Sequence, residues 1–235
     1  MPTQDQVGRT SDDRAAGLSP QGSGNDDDVE VTAGSARLAG HLALPEGSHG
    51  LVVFAHGSGS SRHSPRNRFV AGILNAAGLG TLLFDLLTGA EEADRANVFV
   101  IALLSGRLMA VTSWVGADSR LASSPIGYFG ASTGAAAALW AAAEPGSNVF
   151  AVVSRGGRPD LAGQRLTAVT SPTLLIVGAL DSLVLSLNRE ALTHLAGKSR
   201  LSVVPGATHL FEEPGTLQQA AILARDWFVE HLPPV

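Results

Sequence analysis

Cysteine is absent from the 235-residue sequence. Its absence excludes disulfide bonds, thiolate zinc sites and a cysteine nucleophile, and it leaves the redox compartment open. The chain also lacks an excess of basic residues, since its formal net charge is -5, so the composition does not favour nucleic acid as a partner. No apolar run reaches membrane-spanning length, and the polar N-terminus lacks the apolar segment of a signal peptide. We therefore predict a cytoplasmic protein without nucleic-acid or membrane partners, and the oligomeric state stays open.

Large apolar side chains are scarce in the first 28 residues, which are rich in Gly, Ser, Asp, Gln and Pro. Such a segment buries too little surface to offset the entropy that is lost on ordering. We predict a disordered tail over residues 1–28 and one globular domain over residues 29–235. A linker to a partner domain is the alternative for the tail.

Strand-like and helix-like segments alternate along the predicted domain. Apolar segments of strand type lie at residues 29–31, 36–44, 51–55, 81–84, 126–129, 149–153, 173–177 and 200–204. Helices are predicted at residues 64–77, 98–115, 135–143, 190–196 and 216–231. This alternation predicts the α/β class, with a mostly parallel eight-stranded sheet and helices on both faces. The short connection between residues 153 and 173 predicts little or no lid.

The most informative motif is Gly130-x-Ser132-x-Gly134, which lies between a predicted strand and an Ala-rich predicted helix. A chain that passes from strand to helix within so few residues folds back sharply and strains the residue at the apex. Backbone segments approach closely two residues before and after that apex, so only glycine fits there. The side chain of Ser132 then stands clear at the helix N-terminus, as in a nucleophile elbow. A glycine-lined turn whose serine caps the helix is the alternative.

A serine nucleophile needs a general base, and the base needs a residue that orients it. In an open parallel sheet such groups follow the carboxyl ends of strands. Asp181 follows the strand at 173–177, and His209 follows the strand at 200–204. The chain order Ser132, Asp181, His209 is one that a Ser-His-Asp triad adopts on an α/β sheet. We predict these three as catalytic residues, with His209 as the base.

Hydrolysis of an acyl group also requires donors for the oxyanion. One predicted donor is the backbone N–H of Thr133, the residue after the nucleophile. The other is the N–H of Ser58, because Gly57 and Gly59 let this loop approach the site closely. A dinucleotide fingerprint at Gly57 is a poor alternative, since the third glycine is missing at the required spacing.

Other titratable residues rank below this set. His63 lies near the predicted mouth and is a candidate substrate contact, whereas His56 precedes the oxyanion loop and is predicted to be structural. Asp85 is a candidate supporting acid or helix cap, and Asp160 is a candidate turn cap. The remaining histidines are predicted at the surface: His41, His49, His194 and His231.

A basic loop follows the strand at 149–153, with Arg155 and Arg158 on either side of two glycines. It should open at the same sheet edge as Ser132, where both arginines are candidate contacts for an anionic substrate or leaving group. Arg62 and Arg66 lie just past the oxyanion loop and would add to the positive charge near the predicted site. The alternative is that one arginine ties the loop to an acidic side chain while the others are solvated.

From about residue 29 to residue 232 the chain resembles the α/β-hydrolase superfamily, and within it the dienelactone hydrolase-like family of small bacterial serine hydrolases. The resemblance rests on three strings: GASTG at 130–134, SRGGRPDL at 154–161 and PGATHLF at 205–211. Some members are fused to a phosphoribosyltransferase domain. The founding dienelactone hydrolases use a cysteine nucleophile, which this chain lacks, so the resemblance does not imply dienelactone as the natural substrate.

Triad and resemblance together predict a serine esterase that forms an acyl-enzyme on Ser132 and needs neither metal nor organic cofactor. Its partner is a small-molecule ester, because an open site without a lid favours small soluble esters. The first alternative is the same triad acting on a thioester, amide, lactone or C–C bond. The second is a binding protein of this fold whose site no longer catalyses.

Overall fold

Eight strands form a single sheet in the computed structural model, which describes residues 25–234. The strands are β1 (Asn25–Ala33), β2 (Ala36–Leu44), β3 (Leu51–Ala55), β4 (Gly80–Phe84), β5 (Ile126–Ala131), β6 (Val149–Arg155), β7 (Thr173–Gly178) and β8 (Ser199–Val204). The helices are α1 (Pro65–Ala76), α2 (Gly89–Glu92), α3 (Ile101–Ala117), α4 (Thr133–Ala142), α5 (Ser182–Leu192) and α6 (Thr216–His231). Two further segments, Asn97–Phe99 and Pro159–Ala168, are 3-10 helical.

The sheet has the order β1-β2-β4-β3-β5-β6-β7-β8. Strands β1 and β2 pair antiparallel with each other, β2 pairs antiparallel with β4, and all other pairings are parallel. In register, Ala55 pairs with Gly130, Ala131 pairs with Arg155, and Gly178 pairs with Val204. The loops that follow β3, β5, β6, β7 and β8 therefore meet at one edge of the sheet, where open α/β folds bind their ligands.

Helices cover both faces of the sheet, as the sequence predicted. Buried side chains of α3 and α4, such as Leu108 and Leu139, pack with one face, while Leu74 of α1 and Phe228 of α6 pack with the other. Helix α1 begins where the sequence expects it, because the Ser64 side chain accepts a hydrogen bond from the backbone N–H of the third helical residue. The predicted α/β-hydrolase architecture is thus confirmed.

The domain begins earlier in the structure than the sequence predicted. Strand β1 begins at Asn25, so residues 25–28 pair with β2 and belong to the sheet, although the sequence placed them in the tail. The sequence did not predict this strand, because residues 25–28 are Asn and Asp, which are rare in strands; here the pairing with β2 stabilises the strand. The remainder of the predicted tail, residues 1–24, lies outside the described residues.

Helix α5 was predicted eight residues too late. It begins directly after Asp181, and its buried positions Val184, Leu185, Asn188 and Ala191 have helical spacing. Leu183 breaks that pattern because it is apolar yet 68% exposed. Helix α2 lies in a stretch for which the sequence predicts no helix, and it begins with a capping box at Thr88.

Candidate active site

Ser132 occupies the apex of a sharp turn between β5 and α4. Its backbone angles, φ 51° and ψ -122°, are strained for a residue with a side chain. A Cβ on Gly130 would lie 2.4 Å from the Cα of Ala135, and one on Gly134 would lie 2.1 Å from the carbonyl oxygen of Ala55. Both glycines are therefore required by close backbone approach. The Ser132 side chain makes no capping hydrogen bond to α4, which argues against the helix-cap alternative.

Two neighbouring loops hold the backbone of Ser132. Its N–H donates to the carbonyl of Arg155 at 3.3 Å, and its own carbonyl accepts from the N–H of Arg158 at 3.1 Å. On the other side, a Cβ on Gly57 would lie 2.8 Å from the Cβ of Ser132. The apex is thus fixed between the loop after β6 and the loop after β3, with its side chain partly exposed.

His209 and Asp181 form the predicted base–acid pair. His209 Nδ1 lies 2.6 Å from Asp181 Oδ2, and the Leu180 N–H donates to the Ala207 carbonyl, which ties the two loops together. With the carboxylate as acceptor, Nδ1 carries the proton and Nε2 is left as an acceptor. Asp181 Oδ1 accepts from the N–H of Val184 at 3.4 Å, so this side chain also caps α5.

Gly156 joins the histidine loop to the elbow. It follows Arg155, whose carbonyl holds Ser132, and a Cβ at Gly156 would lie 3.6 Å from His209 Nδ1. Its φ of 52° is in the region that favours glycine. Gly156 thus lies next to His209 and follows the residue that holds Ser132, and the hydrogen bond from Leu180 to Ala207 links the histidine loop to the loop of Asp181. The histidine loop is also held by Glu213, which accepts from the Thr208 N–H and which no sequence motif indicated.

The predicted oxyanion loop lies against the start of α4. The Ser58 N–H donates to Thr133 Oγ1 at 3.1 Å, so the two residues that carry the predicted donors are in contact. His56, predicted as structural, is buried, and burial lowers its pKa. Its Nε2 accepts from the N–H of Leu86 at 3.0 Å, and its Nδ1 lies 2.9 Å from the carbonyl oxygen of Gly57.

The two arginines predicted to contact substrate are engaged with residues of the protein itself. Arg158 makes a two-pronged ion pair with Asp160 at 2.8 and 2.7 Å, which is the loop tie that the sequence left open. Arg155 is 8% exposed, and its Nη2 lies 3.5 Å from the side-chain oxygen of Asn67. Burial, together with the nearby charge of Arg66, lowers the pKa of Arg155 to about 10. Neither guanidinium is presented free in an open cavity.

Asp85, the other candidate acid, pairs with Arg62 and not with a histidine. Its carboxylate accepts from the backbone N–H of Arg62 at 2.7 Å and forms an ion pair with the guanidinium of the same residue. Both side chains are partly buried. Asp85 thus anchors the segment after the oxyanion loop, which leaves Asp181 as the carboxylate hydrogen-bonded to His209.

A cavity of about 780 Å³ opens beside the oxyanion loop. Its wall contains Ser58 and the predicted substrate contact His63. Three charged residues also line it: Arg66, Arg95 and Glu92. No sequence motif connects residues 92 and 95 with the site, because they lie in a stretch without a predicted strand or helix.

The family of this chain follows from comparison with a crystal structure. A dienelactone hydrolase from Anabaena variabilis is 51% identical, with a TM-score of 0.87, over 89% of this chain and 99% of that chain. The chain belongs to the dienelactone hydrolase family. Est1E from Butyrivibrio proteoclasticus, at 16% identity and a TM-score of 0.73, shares the fold over 87% of this chain and 98% of its own. Membership of this family supports a hydrolase.

Curated relatives are longer than this dienelactone hydrolase family member. Two Mycobacterium tuberculosis proteins that carry the provisional name phosphoribosyl transferase are 64% identical over 207 residues, which is 88% of this chain and 47% of theirs. The chain therefore spans about half the length of the curated relatives it matches. No protein-family model matches the sequence. Within residues 25–234, no helix is both long enough and apolar enough to cross a membrane.

Proposed function

We propose that the protein is a serine esterase that cleaves small carboxylic esters through an acyl-enzyme on Ser132. The observation that carries the proposal is the 2.6 Å contact between His209 Nδ1 and Asp181 Oδ2, together with a serine at the apex of a strained elbow. A histidine held in this way can act as a base through Nε2. The segment between β6 and β7 contains only short 3-10 helical pieces on either side of a kink at Gly163, so the proposed site is open to small substrates.

In the proposed reaction, Ser132 Oγ attacks the ester carbonyl while His209 Nε2 accepts the hydroxyl proton. The N–H groups of Thr133 and Ser58 stabilise the resulting oxyanion. The tetrahedral intermediate then expels the alcohol, to which His209 returns the proton. Water attacks the acyl-enzyme with His209 again as base, releases the carboxylic acid and restores Ser132. The scheme requires no metal or organic cofactor.

A fluorophosphonate probe tests this proposal together with a matched substrate panel. We expect the probe to label Ser132 and to block turnover, because it traps an activated serine. Oxygen esters should have a higher kcat/KM than thioesters or amides with the same acyl group. Faster thioester or amide cleavage would assign the triad to that bond class, and a protein that neither reacts with the probe nor turns over any substrate would be a binding protein.

We further propose that the substrate or its leaving group is anionic. The cavity beside Ser58 is lined by Arg66, Arg95 and His63, with Glu92 as the acid in its wall. Arg66 lies 3.2 Å from Glu212, whereas no ion pair of Arg95 is found within residues 25–234. An arginine without a carboxylate partner is suited to pair with a carboxylate or phosphate of the substrate.

Replacing Arg95 with Ala should selectively weaken binding of an acidic ester. We expect KM for a hemisuccinate ester to rise roughly threefold, since exposed charge pairs contribute little, while KM for a neutral ester of similar size stays unchanged. Arg120→Ala is the control, because Arg120 pairs at the surface with Asp118 outside the cavity. Arg155→Ala should affect both esters alike. A rise in KM that is equal for both esters in Arg95→Ala would contradict the proposal.

A further inference from the structure

The peptide bond between Gly57 and Ser58 is hydrogen-bonded at both of its polar ends. The Ser58 N–H donates to Thr133 Oγ1 at 3.1 Å, while the Gly57 carbonyl oxygen lies 2.9 Å from His56 Nδ1. The N–H of Leu86 donates to His56 Nε2 at 3.0 Å. Because Nε2 is therefore an acceptor, Nδ1 carries the proton and donates it to the Gly57 carbonyl. A buried imidazole thus connects the loop after β4 with the peptide that contains the proposed oxyanion donor.

Such a connection matters because this peptide can rotate about Gly57. A flip of the peptide changes ψ of Gly57 and φ of Ser58, and Gly57 lacks the Cβ that would restrict the first of these angles. A flip would exchange the Ser58 N–H for the Gly57 carbonyl oxygen, which repels an oxyanion. Oxyanion donors stabilise a transition state only if they are already oriented before charge develops. Within the loop, only the Ser60 N–H, which donates to the Gly57 carbonyl at 3.2 Å, opposes the flip, and contacts from outside the loop would add to this constraint.

We propose that His56 and the hydroxyl of Thr133 are positioning residues that keep the Gly57–Ser58 peptide in the orientation that stabilises the oxyanion. The inference rests on the proposed esterase function. His56 holds the carbonyl end, and its donation also polarises the amide, which makes the N–H at the other end a stronger donor. Thr133 Oγ1 accepts from that N–H and so keeps it directed toward the start of α4, where the backbone N–H of the same residue would also meet the oxyanion. Neither side chain touches the reacting atoms.

Conservative and disruptive substitutions at the two positions test this role. His56→Asn keeps an amide nitrogen near the place of Nδ1, whereas His56→Gln moves the amide toward Nε2 and removes the donor to Gly57. Thr133→Ser keeps the hydroxyl, whereas Thr133→Val keeps only the shape. We expect the Gln and Val variants to lower kcat for a p-nitrophenyl ester roughly tenfold, as for one lost hydrogen bond, with KM unchanged. The Asn and Ser variants should retain most of the wild-type kcat.

Affinity for a trifluoromethyl ketone gives a second measurement that a purely structural role would not change. The ketone adds to a serine and places an oxyanion where the ester intermediate has one, so its affinity should fall by the same factor as kcat/KM. His231→Asn is the matched control, because His231 Nδ1 lies 2.9 Å from the Trp227 carbonyl oxygen at the far end of α6. This variant should leave the rate and the ketone affinity unchanged.

The outcomes separate this inference from the proposed function. A wild-type protein that neither hydrolyses esters nor binds the ketone would overturn both. An active wild-type protein whose Gln and Val variants keep kcat and ketone affinity would overturn the inference alone, as would a loss that appears only in KM. If one disruptive variant fails to fold, the variants at the other position still test the inference. Full kcat in Thr133→Ser with a loss of kcat in Thr133→Val, for example, supports the role of the hydroxyl.

Discussion

Ser132→Ala should reduce kcat/KM for a short p-nitrophenyl ester by roughly 10⁴- to 10⁶-fold, because it removes the atom that forms the acyl-enzyme. The fold should be retained. The Ser132 side chain does not cap α4, and alanine experiences the same positive φ as serine, so the melting temperature should barely change. Circular dichroism and thermal unfolding check the fold, and steady-state kinetics check the rate.

Further substitutions separate loss of chemistry from loss of structure. Ser132→Gly should be as inactive as Ser132→Ala but more stable by about 1 kcal/mol, because glycine relieves the strain at φ 51°. His209→Ala in the Ser132→Ala background should cause no further loss, since the residues act as a unit. Ser113→Ala is the control, because its hydroxyl contacts the Met109 carbonyl of α3. Turnover by Ser132→Ala at the wild-type rate would contradict the mechanism.

The elbow could be predicted from sequence because its requirements are local. Gly130 and Gly134 are dictated by backbone atoms that approach within 2.4 and 2.1 Å of a hypothetical Cβ, and such limits leave a fixed spacing in the chain. Asp181 and His209 could be placed together because both follow parallel strands that end at the same sheet edge. The fold and the proximity of these two residues are thus encoded in short motifs and strand order.

Contacts between distant residues could not be predicted in this way. Arg155 follows a strand at the correct sheet edge, yet its side chain is buried beside Asn67, 88 positions away in the chain. Arg158 is bound by Asp160, only two positions along the chain, and this local tie was the alternative that the sequence left open beside a substrate anion. The hydrogen bond from Ser58 to Thr133 spans 75 positions. Sequence patterns identify which loops meet, whereas side-chain packing decides which groups remain free to bind a ligand.

Asp181→Asn should lower kcat by about 10⁴-fold, a smaller loss than the largest expected for Ser132→Ala. An asparagine can present its amide N–H₂ to His209 Nδ1, which favours the tautomer with the proton on Nε2 and so removes the base. The fold should survive, because asparagine caps helices as well as aspartate does and can accept the hydrogen bond from the Val184 N–H. The rate of ester turnover and the melting temperature measure the two effects separately.

Asp85→Asn is the matched comparison for this substitution. Asp85 also follows a strand, but its carboxylate is held by Arg62 rather than by His209. Neutralising it should weaken the anchoring of the segment after the oxyanion loop, which lowers stability by roughly 1–3 kcal/mol while kcat falls less than tenfold. The reverse pattern, with full activity in Asp181→Asn and a large loss of kcat in Asp85→Asn, would transfer the role of the orienting acid to Asp85. The 2.6 Å contact of Asp181 with His209 predicts the first pattern.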